Sequence, residues 1–332
     1  MKQIIAANQQ VEISEVPAPE IKDNNILVKT MHSAISPGTE GSIIASSMGK
    51  KVPLGYSAMG MVDACGSGID DVEKGDLVAC YGAPYVHHAE KMLVPKTLYA
   101  KVPENVKPQE AALAGIGAIG IHALRIAKLE FGETVVIAGL GLLGQMIANI
   151  GDTAAYNVIA YDISEQRVDM LAQVTTIHAF SEIEAMEKKI ESLTYGNGVD
   201  AVLLCAGGKR SPLTEQSLQW IRNKGKVVIV GDIEPDFPRT PMFIKEAQIF
   251  ISRAGGPGRY DKTYESEAID YPYGFVRWTE GRNIAEYLRL VSEKRIDVQP
   301  FITDEVGLDN AAAAYEALFN DKSAGLTKII NF

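Results

Sequence analysis

The chain has 332 residues, enough for two domains that each bury a core. Hydrophobic residues make up 46% and charged residues 22%, which is typical of a globular protein. The net charge of −10 argues against a nucleic-acid partner, because phosphate binding requires concentrated positive charge. No segment resembles a secretory signal or a membrane span, and the three cysteines form no disulfide pattern. The sequence therefore predicts a cytoplasmic protein with no membrane partner.

The first hundred residues have the pattern of an all-β domain, with a partly open barrel as one form. Short apolar and β-branched runs predict strands, and Gly and Pro residues separate them. The predicted strands are Ile26–Thr30, Ala58–Asp63, Asp76–Tyr81 and Lys91–Pro95. Pro37 and Gly38 are among the separators.

From Pro108 onward the pattern changes to alternating helices and strands. An Ala-rich helix is predicted over Ala111–Lys128, and nearly continuous apolar strands then alternate with helices. The predicted strands are Thr134–Ala138, Asn157–Tyr161, Ala201–Cys205 and Lys226–Val230, with helices starting at Leu142, Glu165 and Thr214. This α/β pattern predicts a doubly wound parallel sheet covered on both faces. A helix from Arg282 and a strand over Thr327–Ile330 complete the chain.

A glycine motif directly after the strand Thr134–Ala138 carries the clearest functional signal. Gly139, Gly141 and Gly144 have the spacing of a dinucleotide-binding fingerprint that opens a helix. The first glycine permits a tight turn, the second lets the backbone approach a pyrophosphate, and the third allows close helix packing. The intervening Leu140, Leu142 and Leu143 are assigned to the same cofactor site.

The next strand ends at Asp162, in the position of the acidic residue that binds the ribose hydroxyls. Its charge repels a 2′-phosphate, so NAD is favoured over NADP. Ile163 is assigned to the same site, and Arg167 softens the preference if it turns toward the ribose.

The order of a β domain, a Rossmann domain and a return segment resembles the medium-chain dehydrogenase/reductase superfamily, the zinc-type alcohol dehydrogenase-like proteins. The resemblance covers essentially the whole chain. It implies a GroES-like catalytic domain over residues 1–107, a Rossmann domain over 108–255, and a return segment over 256–332. It also places NAD in a cleft between the domains. Positions that match the nicotinamide side are Ala206, Gly207, Val230 and Gly231.

Two motifs narrow this resemblance. The run from Ser36 through Thr39 to Glu40 is similar to the Ser-x-Gly-Thr-Glu signature of a subgroup that includes bacteriochlorophyllide dehydrogenases. The segment 256–280, rich in Gly, Tyr and Arg, resembles the dehydrogenase half of two-part sugar oxidoreductases. The second half does not follow here, so either a separate sugar-oxidoreductase partner supplies it or it is unnecessary.

The zinc-ligand positions of the superfamily read differently in this chain. Ser36 stands near the usual cysteine, Tyr56 stands where the second ligand is expected, and the region around Gly115 supplies no donor. Zinc requires thiolate, imidazole or carboxylate ligands, so the sequence predicts no zinc and no other metal. His87 and His88 are adjacent and, in a strand, would point to opposite faces.

Without zinc, another group must stabilise the charge on the reacting oxygen. The candidate catalytic residues are Ser36, Thr39, Glu40, Tyr56 and His88. Thr39 matches the proton-relaying hydroxyl of the zinc relatives, and Glu40 is near enough to orient a donor. Arg259, Tyr260 and Tyr264 are candidate contacts of a polar substrate.

The leading hypothesis is hydride transfer between NAD(H) and a hydroxyl or carbonyl group on a polar small-molecule substrate, with sugar derivatives as one class. One alternative is an NADPH-dependent quinone or enoyl reductase, against which Asp162 counts. Another is a non-catalytic nucleotide-binding protein. A homodimer or higher homo-oligomer is expected through a sheet edge near Ile249–Ser252.

Overall fold

The structure, a computed structural model, describes residues 1–320 and 325–332. It divides into two compact units, the first formed by Met1–Ile119 with Ala254–Phe332 and the second by Gly120–Arg253. The boundary predicted from the sequence between the first and second domains lies before residue 108, where strands give way to helices. The chain instead leaves the first unit within a helix, because Gly115 and Gly117 pack against Tyr81 and Tyr287 of that unit.

Among the residues that the structure describes, the first unit contains ten strands in two sheets. They are β1 Lys2–Ala7, β2 Gln10–Glu15, β3 Asn25–Ala34, β4 Lys51–Pro53, β5 Ser57–Cys65, β6 Leu77–Tyr81, β7 Lys91–Pro95, β8 Tyr99–Lys101, β15 Ile302–Gly307 and β16 Thr327–Asn331. A three-stranded sheet has the order β2-β1-β4. A seven-stranded sheet has the order β15-β16-β3-β5-β6-β8, with β7 paired to β3. The return segment thus completes the sheet, since β16 pairs with β3.

Helices of the first unit flank these sheets. They are α1 Pro37–Ala45, α2 Pro108–Ala112, the start of α3 Ala114–Ala127, α9 Lys262–Glu265, α10 Glu280–Ser292 and α11 Ala311–Asn320. Helix α1 corrects the sequence reading, in which Pro37 and Gly38 separated two strands. Pro37 begins the helix, because its fixed φ suits the first helical position and its missing N–H costs nothing there.

The second unit is a six-stranded parallel sheet with helices between its strands. Its strands are β9 Thr134–Ala138, β10 Asn157–Tyr161, β11 His178–Phe180, β12 Val199–Leu204, β13 Ile221–Ile229 and β14 Gln248–Ile251. Its helices are the end of α3, then α4 Leu142–Thr153, α5 Glu165–Ala172, α6 Ile183–Thr194, α7 Leu213–Trp220 and α8 Arg239–Ile244. The order β11-β10-β9-β12-β13-β14 is that of a doubly wound Rossmann sheet.

The predicted fold class is confirmed, although several elements were missed. The missed elements are the strands β1, β2, β4, β8, β11 and β15 and the helices α1, α6, α8, α9 and α11. Strand β14 forms one edge of the second-unit sheet, where the sequence placed an oligomer contact, and the contact itself stays a prediction. The three cysteines are free thiols. Across the part of the chain that the structure describes, no helix has the length and apolar character to cross a membrane.

Candidate active site

The glycine loop connects β9 to α4, as the motif predicts. Gly139 has a φ of +101°, which side chains disfavour, and a Cβ there would lie 2.5 Å from the Ala206 nitrogen. A Cβ on Gly144 would lie 1.8 Å from the Gly139 carbonyl oxygen. Close packing therefore requires both glycines. A Cβ on Gly141 would meet no atom within 4 Å, so its backbone is open to a ligand.

The start of α4 is suited to phosphate. Gly141 is the N-cap residue and provides no side-chain cap, so the first N–H groups of the helix are available to phosphate oxygens. Leu140 and Leu142 are buried and hold the loop against the unit, whereas Leu143 is half-buried. This arrangement fits a pyrophosphate without any cation from a side chain.

Asp162 follows β10 and lies against the same loop. Its Oδ2 accepts a hydrogen bond from the Leu140 N–H at 2.6 Å, and its Oδ1 accepts one from the Ser164 N–H at 2.9 Å. The half-exposed Arg167 lies 3.4 Å from Oδ2, a weak pairing. A carboxylate has about four acceptor sites, so Asp162 can still accept hydrogen bonds from ribose hydroxyls. Ile163 beside it is exposed.

The remaining predicted cofactor residues lie at the ends of neighbouring strands. Ala206 and Gly207 follow β12, and Val230 and Gly231 follow β13. A Cβ on Gly231 would lie 2.4 Å from the Ala206 carbonyl oxygen, so these backbones touch next to Gly139. Sheets of this order bind ligands at this end, where the winding direction reverses between β9 and β12.

In the first unit, two hydroxyl groups form a pair at the start of α1. Tyr56 donates a hydrogen bond from its hydroxyl to Ser36 Oγ at 2.6 Å. Burial raises the pKa of the Tyr56 phenol to about 12; hydrogen bonding to Ser36 lowers it, the charge of Glu40 raises it, and hydrogen bonding to Thr39 lowers it. Tyr56 is therefore a protonated donor at neutral pH. Thr39 is exposed on α1, next to this pair.

Glu40 lies beneath the hydroxyl pair and is fully buried. Its Oε1 accepts the Ser36 N–H at 2.8 Å, and its Oε2 accepts His88 Nε2–H at 3.0 Å and the Tyr315 hydroxyl. His88 is also fully buried, and its Nδ1 lies 2.6 Å from Ser33 Oγ. Glu40 and His88 are thus inaccessible to substrate. They are able to act only through Ser36 and Tyr56.

His87 and His88 do not lie in a strand, as the sequence analysis assumed, but in the loop between β6 and β7. They still face different surroundings. Burial lowers the pKa of His87, and its Nδ1 has no hydrogen-bond partner among the described residues. His88 instead joins the Glu40 network because Gly55, at φ +91°, leaves room for its ring.

Two of the three candidate substrate residues have internal roles. Arg259 donates to Glu265 Oε1 and to the Ala83 carbonyl oxygen, both at 2.5 Å. Tyr264 is buried, and its hydroxyl donates to the Thr97 carbonyl oxygen at 3.2 Å. These contacts fix the return segment, which corrects the interpretation of Arg259 and Tyr264 as ligand contacts. Tyr260 is 54% exposed and stays a candidate.

Tyr315 and Glu280 were missed by the sequence analysis. Tyr315 lies on α11, 275 residues from its partner Glu40, and no local pattern marks it. Glu280 is fully buried at the start of α10, and neither carboxylate oxygen has a hydrogen-bond partner in the described part of the chain. Burial raises the pKa of Glu280 to about 8, Arg259 lowers it and Glu265 raises it.

The donors near Glu40 do not fit a zinc ion. The polar groups there are the hydroxyls of Ser36, Tyr56 and Tyr315 and the carboxylate–imidazole pair of Glu40 and His88. Zinc instead requires several thiolate, imidazole or carboxylate ligands. Over residues 1–320 and 325–332, no group of three or more His, Cys, Asp or Glu side chains is arranged to hold a metal. We therefore derive no chemical step through a metal.

Comparison with known proteins finds dehydrogenases and reductases among the relatives of this chain. A family model described as zinc-binding dehydrogenase matches residues 139–269. Sorbitol dehydrogenase of Bacillus subtilis is 24% identical over 99% of this chain and 97% of that protein. D-xylulose reductase of Saccharomyces cerevisiae is 22% identical over 92% of this chain and 90% of that protein. The chain is thus similar to dehydrogenases of the zinc-type alcohol dehydrogenase-like group over most of its length. It is therefore an oxidoreductase of the dehydrogenase type.

Solved structures of other dehydrogenases share the fold. Galactitol-1-phosphate dehydrogenase from Escherichia coli superposes with a TM-score of 0.80 at 20% identity, covering all of both chains. Alcohol dehydrogenase from Thermus sp. ATN1 gives 0.78 at 22% identity, covering 100% of this chain and 99% of the other. At these identities the likeness establishes the architecture of GroES-like and Rossmann parts.

These comparisons correct the prediction that the protein uses no zinc. The matched model is that of a zinc-binding dehydrogenase, and a relative from Haemophilus influenzae, 27% identical over 78% of this chain and 84% of its own length, is named a zinc-type alcohol dehydrogenase-like protein, so the exclusion of zinc is wrong. The error arose because the prediction used only Ser36, Tyr56 and the region of Gly115, whereas the family match rests on residues 139–269. The narrower resemblance to a zinc-less subgroup is not confirmed.

Proposed function

We propose that this protein is an NAD(H)-dependent dehydrogenase that interconverts a hydroxyl and a carbonyl group on a polyol or another sugar-derived substrate. The observation that carries the proposal is the contact of Asp162 with the Gly139–Gly144 loop, which unites an acidic ribose acceptor with an open phosphate site. The relatives named sorbitol dehydrogenase and D-xylulose reductase support the polyol class.

The cofactor, when bound, accepts or donates the hydride. The chain binds its pyrophosphate at the start of α4 and its adenosine ribose at Asp162. The charge of Asp162 disfavours a 2′-phosphate, and the weak pairing with the half-exposed Arg167 does not neutralise this effect. NADH is thus preferred over NADPH.

The Tyr56–Ser36 pair orients the reacting oxygen. Because Tyr56 donates to Ser36 Oγ, the Ser36 hydroxyl hydrogen is free to point at a substrate oxygen. Both groups stay protonated at neutral pH. The Ser36 hydroxyl stabilises developing negative charge on that oxygen by donating a hydrogen bond, and Tyr56 supports Ser36 by donating to its Oγ. The exposed Thr39 provides a path by which the proton exchanges with water.

The test combines cofactor binding with a substrate panel. NADH and NADPH are titrated by fluorescence, and sorbitol, xylitol and their ketoses are assayed with zinc supplied, so that a missing metal does not explain inactivity. We expect NADH to bind at least about tenfold more tightly than NADPH and at least one polyol to be oxidised. Asp162→Asn should reduce this preference, whereas Asp169→Asn, the same change at an exposed position on α5, should not.

Two results would overturn the proposal. NADPH preference with reduction of quinones or enoyl compounds would establish the C=C reductase alternative. NADH binding with no turnover on any carbonyl or alcohol would indicate a nucleotide-binding protein without catalysis.

A further inference from the structure

The Tyr56–Ser36 hydroxyl pair rests on a buried polar network that comes from distant parts of the first unit. The Glu40 carboxylate accepts a hydrogen bond from the Ser36 N–H. In return, the Ser36 carbonyl oxygen accepts a hydrogen bond from the Glu40 N–H at 3.0 Å. The carboxylate therefore fixes the backbone of Ser36, from which the Oγ extends.

His88 links the same network to Tyr56. Its N–H donates to the Leu54 carbonyl oxygen at 2.9 Å, and its ring packs so closely on Gly55 that a Cβ there would lie 2.7 Å from Cγ. Gly55 directly precedes Tyr56. A carboxylate can only accept hydrogen bonds, so His88 Nε2 is the donor in its hydrogen bond with Glu40. When the ring is neutral, Nδ1 accepts a hydrogen bond from the Ser33 hydroxyl. One imidazole thus supports both members of the hydroxyl pair.

Tyr315 is the member of the network that reaches Glu40 from α11. It is 1% exposed, and its ring lies edge-on to His88 and near Phe319, within the core formed with Ile35 and Ile330. The core explains the aromatic ring, but it does not explain a hydroxyl, which needs a partner when buried. The hydroxyl donates to Glu40 Oε2, the oxygen shared with His88.

We propose that Tyr315 is a positioning residue for the Tyr56–Ser36 pair, acting through Glu40. The proposal rests on the proposed function, in which that pair faces the reacting oxygen. Removal of the Tyr315 hydroxyl leaves Glu40 Oε2 with His88 alone, so the carboxylate and the Ser36 backbone that it holds are free to shift. A misplacement of a catalytic group by about 1 Å can cost about 100-fold in rate.

The first measurement is hydrogen exchange of the whole protein, which needs no substrate. Tyr315→Phe keeps the ring and removes the donor, so the Ser36 amide should exchange at least about tenfold faster, because its acceptor is no longer fixed. The matched control is Tyr287→Phe, which removes a hydroxyl from another fully buried tyrosine that donates to the Glu110 carbonyl oxygen at 2.9 Å. Unchanged protection of Ser36 in Tyr315→Phe would overturn the proposal.

The second measurement is a kinetic cycle with Tyr56→Phe. Tyr315→Phe should lower kcat by about tenfold to 100-fold, with little change in KM or in NADH binding. In the Tyr56→Phe background it should cause little further loss, because the two residues act as one unit. A fully additive loss, or an equal loss of kcat in Tyr287→Phe, would overturn the positioning role. If Tyr56→Phe itself keeps full activity, the proposed function of the hydroxyl pair fails instead, and the exchange result still decides whether Tyr315 fixes Ser36.

Discussion

Two buried glutamates of the first unit differ completely in their surroundings. Glu40 and Glu280 are both 0% exposed, and both lie in the first turn of a helix. Glu40 accepts three hydrogen bonds, from Ser36, His88 and Tyr315. Glu280 accepts none from the residues that the structure describes, and the nearby cation Arg259 is already bound to Glu265. Burial alone therefore does not determine the state of a carboxyl group; the donors that converge on it do.

The expected consequence is a raised pKa for Glu280, whose burial no hydrogen-bond donor among the described residues offsets. Glu40, by contrast, organises its neighbours as the shared acceptor of three hydrogen bonds. At neutral pH Glu280, with a pKa of about 8, holds a proton in most molecules, although the start of α10 favours negative charge. Ionisation of Glu280 therefore costs stability as the pH rises.

The largest effect is expected for Glu40→Ala. This change leaves the Ser36 amide, the His88 ring and the Tyr315 hydroxyl without their acceptor, at about 1–3 kcal/mol for each unsatisfied buried donor. We expect the free energy of unfolding to fall by at least about 3 kcal/mol in urea denaturation. Glu12→Ala, at an exposed position on β2, is the control. An equally small loss in both variants would remove the distinction between the two buried glutamates.

The second prediction concerns Glu280→Gln and pH. In the unfolded chain Glu280 ionises near 4.5, whereas in the fold it ionises near 8. Between these values the native state holds more protons, so stability falls as pH rises, by up to about 1.4 kcal/mol per pH unit. The Gln variant lacks this slope. It should be more stable than the wild type by an amount that grows from pH 5 to pH 8.

Urea denaturation at several pH values measures this effect, with Glu267→Gln as an exposed control. Parallel pH profiles of the wild type and Glu280→Gln would show that Glu280 ionises normally. That outcome would make the two buried glutamates alike.

The smallest effect is expected for Ser33→Ala. The change removes the hydroxyl that pairs with His88 Nδ1 but leaves Glu40 with all three donors. We expect a loss of about 1–2 kcal/mol in the free energy of unfolding, the cost of one unsatisfied buried group. Ser67→Ala, at an exposed position, should lower the free energy of unfolding by only a few tenths of the loss in Ser33→Ala. A loss as large as that of Glu40→Ala would show that His88, and not the carboxylate, organises the network.

The glycine loop was predictable from sequence because its main constraints are local. The turn requires Gly139, and the close approach of the Gly139 carbonyl oxygen, within the same six residues, requires Gly144. Asp162 follows the next strand and contacts the loop. The spacing of these residues along the chain is therefore enough to predict the loop. Helix α1 was missed for the opposite reason, since Pro37 and Gly38 suit both a turn and a helix start.

The polar residues of segment 256–280 were misinterpreted for a related reason. A cluster of Arg and Tyr residues has the composition of a ligand pocket, but composition does not specify the direction in which side chains point. Arg259 and Tyr264 turn inward because the Ala83 and Thr97 carbonyl oxygens, from the turns that follow β6 and β7 in the same unit, require donors. Only the fold brings those partners together.

The sequence by itself determined the fold class, the glycine loop and the acidic residue beside it, because periodicity and short-range sterics are encoded in neighbouring residues. It also brought Ser36, Thr39, Glu40 and Tyr56 into one candidate site. The tertiary structure decided which of these groups are accessible, and it added Tyr315 and Glu280. Their roles depend on which donors and acceptors meet in the interior, and chain segments hundreds of residues apart supply those partners.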